Sequence, residues 1–306
     1  MKPVAFDYVA PRTIEQAVEA LRAGGPDAKL LAGGQSLVPL LNFRLARPSL
    51  LVDLNRVDGL AYIESREDGV AIGAMTRQAT IERDTKLARS QPLLGEAIGW
   101  VGHPAIRSRG TIGGSLAHAD PAAELPAVAV CLEAELTVVG PRGQRTIASE
   151  DFFQGYLSTS LASDEIVTEV WLPPVLPTTG QAWVEFARRH GDFALVGVAA
   201  SISLDNGAVC DAHVVLTGVG GKPVRARESE ILLIGASVAE RVGAAADAAR
   251  SVIEPEADIH ASKEYRAHLA AVLTQRAIEL AYIRTEHPSA AALDVRRTLE
   301  TMSRYA

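Results

Sequence analysis

The chain has 306 residues, of which 48% are hydrophobic and 22% charged, a balance that predicts compact globular domains and excludes a mainly disordered protein. Its net charge of -7 argues against a broad surface for nucleic acid. No apolar run reaches the roughly 20 residues that span a bilayer, and residues 1–12 lack a secretion-signal pattern. We therefore expect a cytoplasmic protein without a membrane span.

The first predicted elements form a small βαβ-like lobe over about residues 1–56. Thr13 is suited to cap a helix that runs to Arg22 and stops at the following glycine pair. Two apolar runs, residues 29–32 and 50–54, predict strands.

A larger lobe is expected over about residues 57–176. Its predicted elements are a strand at 70–73, a helix at 94–101, and a hairpin of 136–139 with 145–147 around a Gly-Pro-Arg-Gly turn. Prolines are concentrated between residues 172 and 180, and because they disfavour regular structure we place a domain boundary there.

The second predicted domain, residues 177–306, begins with strands and ends with helices. Strands at 195–204 and 208–216 flank Asn206-Gly207, which is a strong hairpin signal. Helical patterns follow at 238–252 and 263–282, and the tail after residue 287 is expected to be flexible. The fold class predicted for the whole chain is α+β.

Two cysteines, Cys131 and Cys210, lie in apolar stretches, and we expect both to be buried as small hydrophobic residues. An iron-sulfur cluster needs four ligands, and a structural zinc site needs paired spacing that is missing here. We therefore assign no metal ligand to this chain and expect any cluster to belong to a partner.

A first glycine loop comprises Ala32, Gly33, Gly34, Gln35 and Ser36. Ser36 is expected to cap a helical turn that holds Pro39 in its first turn. Such a loop directs backbone N–H groups at one point, and glycine lets a bulky anion approach, so a pyrophosphate would fit. An ordinary turn is the alternative interpretation.

A second loop of the same design contains Thr111, Ile112, Gly113, Gly114 and Ser115. Its amides are expected to hold the other side of the same diphosphate. Downstream, Asp120-Pro121 is predicted as N-cap and first helical residue, and Asp120 or Glu124 offers a carboxylate for ribose or ribityl hydroxyls. Capping alone is the alternative for Asp120.

Neither loop has the G-x-G-x-x-G pattern of a Rossmann dinucleotide site. The one Gly-Lys pair, Gly221-Lys222, also lacks the spacing of a P-loop. These absences argue against a Rossmann NAD site and an ordinary ATPase.

Together with residues 189–193, Arg-His-Gly-Asp-Phe, these motifs resemble the FAD-binding medium subunits of molybdenum hydroxylases, such as aerobic carbon monoxide dehydrogenase and the middle domain of xanthine dehydrogenase. The resemblance extends over essentially the whole chain. It implies a two-lobed FAD-binding domain of the vanillyl-alcohol oxidase (PCMH) type, followed by an antiparallel sheet with helices. Because Gln35 cannot form a histidyl-flavin bond, FAD is expected to bind non-covalently.

The resemblance implies FAD contacts but no catalytic residue in this chain. The implied contacts are Ala32, Gly33, Gly34, Gln35, Ser36, Thr111, Ile112, Gly113, Gly114, Ser115, Asp120, Glu124, Val167 and Phe193. Phe193 stands where relatives often cover the flavin with a tyrosine; packing in the core is its alternative role. Glu185 stands near a position where relatives often carry lysine, which implies a lower flavin potential if it faces the ring.

The resemblance also implies an oxidoreductase complex. A large subunit would carry molybdopterin, a small subunit two iron-sulfur clusters, and this chain would pass the electrons through FAD to an external acceptor. A dimer of heterotrimers is expected. Two alternatives stay open: a self-sufficient FAD oxidase or reductase of the same fold, and a phosphate- or nucleotide-binding module without redox activity.

Overall fold

A computed structural model of the chain describes residues 2–286, so the predicted tail after residue 287 lies outside the described residues. The first lobe has a parallel sheet in the order β1-β3-β2. Thr13 caps the first helix by accepting a hydrogen bond from the Gln16 amide. The strands on either side of the next helix pair in parallel, which confirms the βαβ prediction. The elements are β1 (Asp7–Val9), α1 (Ile14–Gly24), β2 (Ala28–Leu31), α2 (Leu37–Asn42) and β3 (Leu50–Asp53).

The second lobe has an antiparallel sheet in the order β4-β5-β10-β6-β7, whose apolar side chains pack against helices in one hydrophobic core. Its elements are β4 (Ile63–Arg66), β5 (Gly69–Gly73), α3 (Gln78–Arg83), α4 (Thr85–Ser90), α5 (Pro92–Ala97), α6 (Pro104–Arg107), α7 (Ile112–His118), α8 (Glu124–Cys131), β6 (Glu135–Gly140), β7 (Gly143–Ala148), α9 (Ser149–Phe152), β8 (Phe153–Gly155), β9 (Ser158–Thr159) and β10 (Ile166–Leu172).

The predicted hairpin in this lobe is confirmed: β6 and β7 pair around a turn in which Gly143 has φ 101°. The helix predicted at 94–101 was placed too late. It begins at Pro92, a favoured first helical residue, and ends at Ala97, shortly before Gly99.

The C-terminal part is an antiparallel sheet in the order β11-β12-β13-β14 with helices packed on it. Asn206 (φ 51°) and Gly207 (φ 83°) form the turn between β12 and β13, which confirms that hairpin. The α+β fold class is confirmed as well. The elements are β11 (Thr179–Phe186), β12 (Val196–Asp205), β13 (Ala208–Thr217), β14 (Val224–Arg225), α10 (Arg227–Leu233), α11 (Val238–Ser251) and α12 (Lys263–Glu286).

One face of the C-terminal sheet completes the core of the preceding lobe. Trp183, Ala199 and Val215 belong to the same apolar cluster as the buried residues of α8. Arg284 of α12 donates to the Glu96 carboxylate of α5 at 2.7 Å. The proline-rich segment lies between β10 and β11, and the boundary at residue 176 stays a prediction.

The two cysteines differ in their surroundings. Cys131 is buried in α8, as predicted, but the prediction for Cys210 was wrong because it is exposed. Alternation along β13 turns Cys210 to the opposite face from its buried neighbour Val209.

Within residues 2–286, no helix combines the length and apolar character that crossing a bilayer requires.

Candidate functional site

The two glycine loops are in direct contact. A Cβ atom at Gly33 would lie 2.4 Å from the Arg109 carbonyl oxygen and 2.7 Å from the Gly110 Cα. A Cβ at Gly114 would lie 3.2 Å from the Ala32 Cβ. Glycine is therefore required for the first loop to pack against the backbone that leads directly into the second loop.

The first loop has free backbone donors. Among the described residues, the N–H groups of residues 33–36 have no acceptor, and Gly34 has φ 72°. The side-chain amide of Gln35 donates from Nε2 to the Gly33 carbonyl at 3.0 Å and so holds the loop closed. Ser36 lies at the N-cap position of α2 but makes no capping bond, so that detail of the prediction was wrong. The free N–H groups form a nest of the kind that binds anions.

The second loop is held differently. The N–H groups of residues 112–115 all have acceptors on Ala74, Thr76 or Thr111, at 3.2 Å or less. These four amides thus already have acceptors within the chain, and the diphosphate contact expected of this loop stays a prediction. The hydrogen bonds anchor α7 to the end of β5, and this loop offers the Ser115 hydroxyl to a ligand.

A polar network that the sequence analysis missed ties the loops together. The Asn55 side chain donates to the Ala32 carbonyl at 2.9 Å. The Arg77 guanidinium donates to the Asn55 side-chain oxygen and to the Arg109 carbonyl. Burial, and then the nearby Arg109, lowers the pKa of Arg77. No local pattern marks Asn55 or Arg77, because their partners lie far away in sequence.

The turn after α7 also differs from the prediction. Asp120 is not an N-cap, because α8 begins at Glu124 with Ala123 as its cap residue. The Asp120 carboxylate instead accepts from the Ala122 amide at 2.9 Å and closes the turn. The Thr217 hydroxyl at the end of β13 donates to the Ala123 carbonyl at 2.9 Å, so the turn is fixed to the C-terminal sheet.

Glu124 is a buried carboxyl whose own backbone N–H favours its charged form. It is 4% exposed, and no other described residue donates a hydrogen bond to its carboxylate. Burial raises the pKa of Glu124 to about 7, with a further contribution from Asp120. A carboxyl group with no donor from another described residue has acceptor capacity left for a hydroxyl of a ligand.

Phe193 lies between β11 and β12 with 61% of its surface exposed, which excludes the core-packing alternative. It lines a cavity of about 750 Å³ together with Asp120, Tyr156 and Arg188. The cavity therefore brings together Phe193 and Asp120 from the two parts of the chain.

Val167 differs from the other predicted residues. Its side chain is buried in the core of the second lobe, where it pairs with Val138 of β6. A bulge follows Val167 in the strand. The Thr168 carbonyl accepts a hydrogen bond from the Ala74 amide, and the Ala74 carbonyl accepts one from the Gly113 amide. The strand thus supports the second loop, and a cofactor contact by Val167 stays a prediction.

These features fit FAD. The amide nest of the first loop suits a pyrophosphate, the buried Glu124 carboxyl suits a sugar or ribityl hydroxyl, and the exposed Phe193 ring suits an aromatic ring system.

Comparisons with known proteins agree over nearly the whole chain. Residues 4–175 match the family described as FAD binding domain in molybdopterin dehydrogenase, and residues 181–281 match the CO dehydrogenase flavoprotein C-terminal domain. The chain is 43% identical to the 6-hydroxypseudooxynicotine dehydrogenase complex subunit alpha of Paenarthrobacter nicotinovorans, over 96% of this chain and 100% of that relative.

Two solved structures are also similar. Carbon monoxide dehydrogenase from Hydrogenophaga pseudoflava, in a form lacking the Mo-pyranopterin moiety of the molybdenum cofactor, has a TM-score of 0.91 with 38% identity, covering 93% of this chain and 99% of that chain. Quinoline 2-oxidoreductase from Pseudomonas putida 86 has a TM-score of 0.88 with 37% identity, at the same coverage of 93% and 99%. The chain therefore belongs to the FAD-binding medium subunits of molybdenum hydroxylases and is an oxidoreductase subunit.

Proposed function

We propose that this chain receives electrons from the iron-sulfur clusters of a small subunit and passes them through non-covalently bound FAD to an external acceptor. The observation that carries the proposal is the pair of interlocked glycine loops, of which the first has free N–H groups at residues 33–36. Bound FAD supplies the redox chemistry. The chain itself holds and orients the cofactor.

Each part of the site has a proposed role. The amides of residues 33–36 bind the pyrophosphate, and Ser115 supplies a hydroxyl beside it. Glu124 accepts a hydrogen bond from a hydroxyl of the cofactor, and Phe193 covers the ring system on the side of the cavity. Asn55 and Arg77 position the loops without contacting the cofactor.

We further propose that the chain works in a complex with a large molybdopterin subunit and a small iron-sulfur subunit, as a dimer of heterotrimers. The names of similar proteins support a complex of several subunits, since they include a nicotine 6-hydroxylase medium subunit and carbon monoxide dehydrogenase medium chains. In such a complex the substrate would be selected on the large subunit.

The visible absorption spectrum of the chain, affinity-purified from its host with whatever remains bound, tests this proposal. Flavin bands over broad iron-sulfur absorption, with two further subunits on a denaturing gel, are expected. Flavin in a stable, substrate-reducible single chain would instead indicate a self-sufficient oxidase or reductase. No flavin, even after FAD is added, would contradict the proposal.

A further inference from the structure

The loop between β11 and β12 carries Phe193, and one side of this loop lies directly against the second lobe. Gly191 has φ 91°, and a Cβ atom there would lie 2.5 Å from the His103 ring and 3.0 Å from the Gly102 carbonyl oxygen. The loop can approach the second lobe this closely only because residue 191 has no side chain and tolerates a positive φ.

The surface that Gly191 touches is itself held in place. The buried Arg107 guanidinium of α6 donates to the Gly102 carbonyl at 2.9 Å. The His190 ring, one residue before the glycine, meets the Trp100 ring edge to face with 5.3 Å between the centroids. These contacts fix the loop to the segment that leads into the second glycine loop.

Arg266 of α12 holds the other side of the loop. It is 7% exposed, and one of its nitrogens donates to the Leu195 carbonyl at 2.6 Å and to the Gly218 carbonyl at 3.2 Å. A second nitrogen pairs with Asp258 at 2.8 Å. The backbone is closely packed here, since a Cβ at Gly218 would lie 2.5 Å from the Leu195 carbonyl oxygen. The Gly218 amide in turn donates to the Pro121 carbonyl, so this side of the loop is joined to the turn before α8.

Phe193 therefore projects from a backbone that is held two residues before it and two residues after it. Its ring is 61% exposed, so side-chain packing does not determine where the ring lies. Gly191 and Arg266 line the same cavity as Phe193. An aromatic pair is favourable only within a limited range of distances and angles, and a ring held in advance loses less entropy when a ligand binds.

We propose that Gly191 and Arg266 are positioning residues, which hold Phe193 in place against the ring system of FAD. This inference rests on the proposed function, in which Phe193 covers that ring system.

Hydrogen exchange of the FAD-free chain tests whether the two residues hold the loop. Two of its amides report on this, because Asp192 donates to the Arg189 carbonyl and Leu195 to the Phe186 carbonyl. Both amides should exchange faster in Gly191→Ala, which displaces the loop, and in Arg266→Lys, which replaces a fork of donors by one ammonium group. Wild-type exchange rates in either variant would overturn the proposal for that residue.

Each variant has a matched control. Gly207→Ala also places a side chain at a positive φ, 83°, but in the turn between β12 and β13, where a Cβ meets nothing within 4 Å. Arg284→Lys alters a second buried arginine of α12, whose donors hold α5 and β11. Neither control residue lines the cavity, so both variants should keep wild-type exchange in the loop. Equally fast exchange in the controls would show that general destabilisation opens the loop, and would overturn the proposal.

Visible circular dichroism of bound FAD tests whether the anchoring acts through Phe193. The flavin bands should weaken in Gly191→Ala and Arg266→Lys as they do in Phe193→Ala. FAD affinity should fall by no more than the roughly two- to twelvefold expected for loss of the ring. In a Phe193→Ala background neither substitution should weaken the bands or the affinity further, because residues that act through one group do not have additive effects. Additive losses would overturn the proposal.

Two outcomes separate this inference from the proposed function. FAD that binds with unchanged dichroism in all three single variants would overturn the positioning role and leave FAD binding by this chain intact. A wild-type chain that binds no FAD would overturn the proposed function, and with it the role assigned to the loop.

Discussion

Gly33 determines how closely the two glycine loops approach, so a single methyl group at this position should disturb the cofactor site. In Gly33→Ala the new Cβ would meet the Arg109 carbonyl at 2.4 Å, and backbone would have to move. Overpacking of this kind costs about 1–3 kcal/mol, which corresponds to roughly five- to 150-fold weaker binding if the whole cost falls on the bound state. FAD titration by fluorescence quenching measures the effect.

Gly243→Ala is the matched control for that substitution. Gly243 lies in α11, and a Cβ there meets nothing within 4 Å. This change should leave FAD affinity unaltered and stabilise the helix by about 1 kcal/mol. Equal FAD affinity in wild type and Gly33→Ala would show that the loops do not form the cofactor site.

The ring of Phe193 is exposed, so its removal should take no packing contacts from the hydrophobic core. Phe193→Ala is expected to leave the melting temperature almost unchanged but to lower FAD affinity by roughly two- to twelvefold, since a stacked aromatic pair contributes about 0.5–1.5 kcal/mol. Calorimetry and FAD titration separate the two effects.

The control for Phe193 is Ile259→Ala, because Ile259 is 95% exposed and does not line the cavity. Unchanged flavin affinity and absorbance in Phe193→Ala would argue that the ring faces something other than the cofactor.

Glu185 allows a test of electrostatics beside the flavin. In Glu185→Lys, an ammonium group replaces a carboxyl and can pair with Glu124. A positive charge stabilises the anionic reduced form of FAD, so we expect a higher midpoint potential, by about 30 mV for each tenfold gain in relative affinity for reduced FAD. Spectroelectrochemistry of the FAD-loaded variant measures this, and an unchanged potential would place Glu185 away from the ring.

At the residue scale, the sequence predicts which residue types are suited to contact FAD better than it predicts their burial and hydrogen bonding. The motif at residues 33–36 is predictable because free amides and glycine form a local pattern. The burial of Glu124 is not, because the turn before it is held by Thr217 of β13, far away in sequence.

Among the elements, local turn chemistry made the hairpins predictable. Asn206-Gly207 supplies the positive φ angles that a tight turn needs. The central strand β10 was missed, although its β-branched and aromatic run from Ile166 to Leu172 favours a strand. The start of α8 was misplaced because the Asp120 carboxylate closes a turn instead of capping a helix.

Helix α12 is fastened to α5 by a buried ion pair whose loss should destabilise the chain. Arg284 is 6% exposed and donates to the Glu96 carboxylate and the Gln181 carbonyl. Arg284→Met leaves that carboxylate without its cation, which typically costs about 3–5 kcal/mol in a buried site. Denaturant unfolding measures the change.

The control for Arg284 is Arg22→Met, which breaks an exposed pair with Glu19 and should cost less than about 1 kcal/mol. Similar losses for the two variants would show that α12 does not depend on its buried ion pair.

For the whole molecule, the stability of the FAD-free chain should fall as the pH rises from about 5 to about 8. The folded-state pKa values of about 7 for Glu124 and about 8 for Glu185 exceed the ordinary value of 4.5, so the folded chain keeps protons that the unfolded chain releases. Their contribution is complete below the ordinary value and is lost as the pH rises through the folded values.

Ion-paired carboxylates act in a lower pH range. Glu165 and Glu169 have lowered pKa values, so their stabilisation is lost only as the solution becomes more acidic than the ordinary glutamate value. Thermal unfolding across the pH series should show a flatter profile in the double variant Glu124→Gln with Glu185→Gln. Stability that rises between about pH 5 and pH 8 would contradict the raised pKa values of Glu124 and Glu185.

Trp183, Ala199 and Val215 complete an apolar core that begins in the other half of the chain. A protease that cuts the proline-rich segment between β10 and β11 would therefore cleave one covalent link without separating the two pieces. The nicked protein should migrate as a single particle and keep its flavin, whereas either half produced alone would expose its hydrophobic core face and precipitate. Each half therefore needs the other to complete its hydrophobic core, whether or not the two are covalently joined.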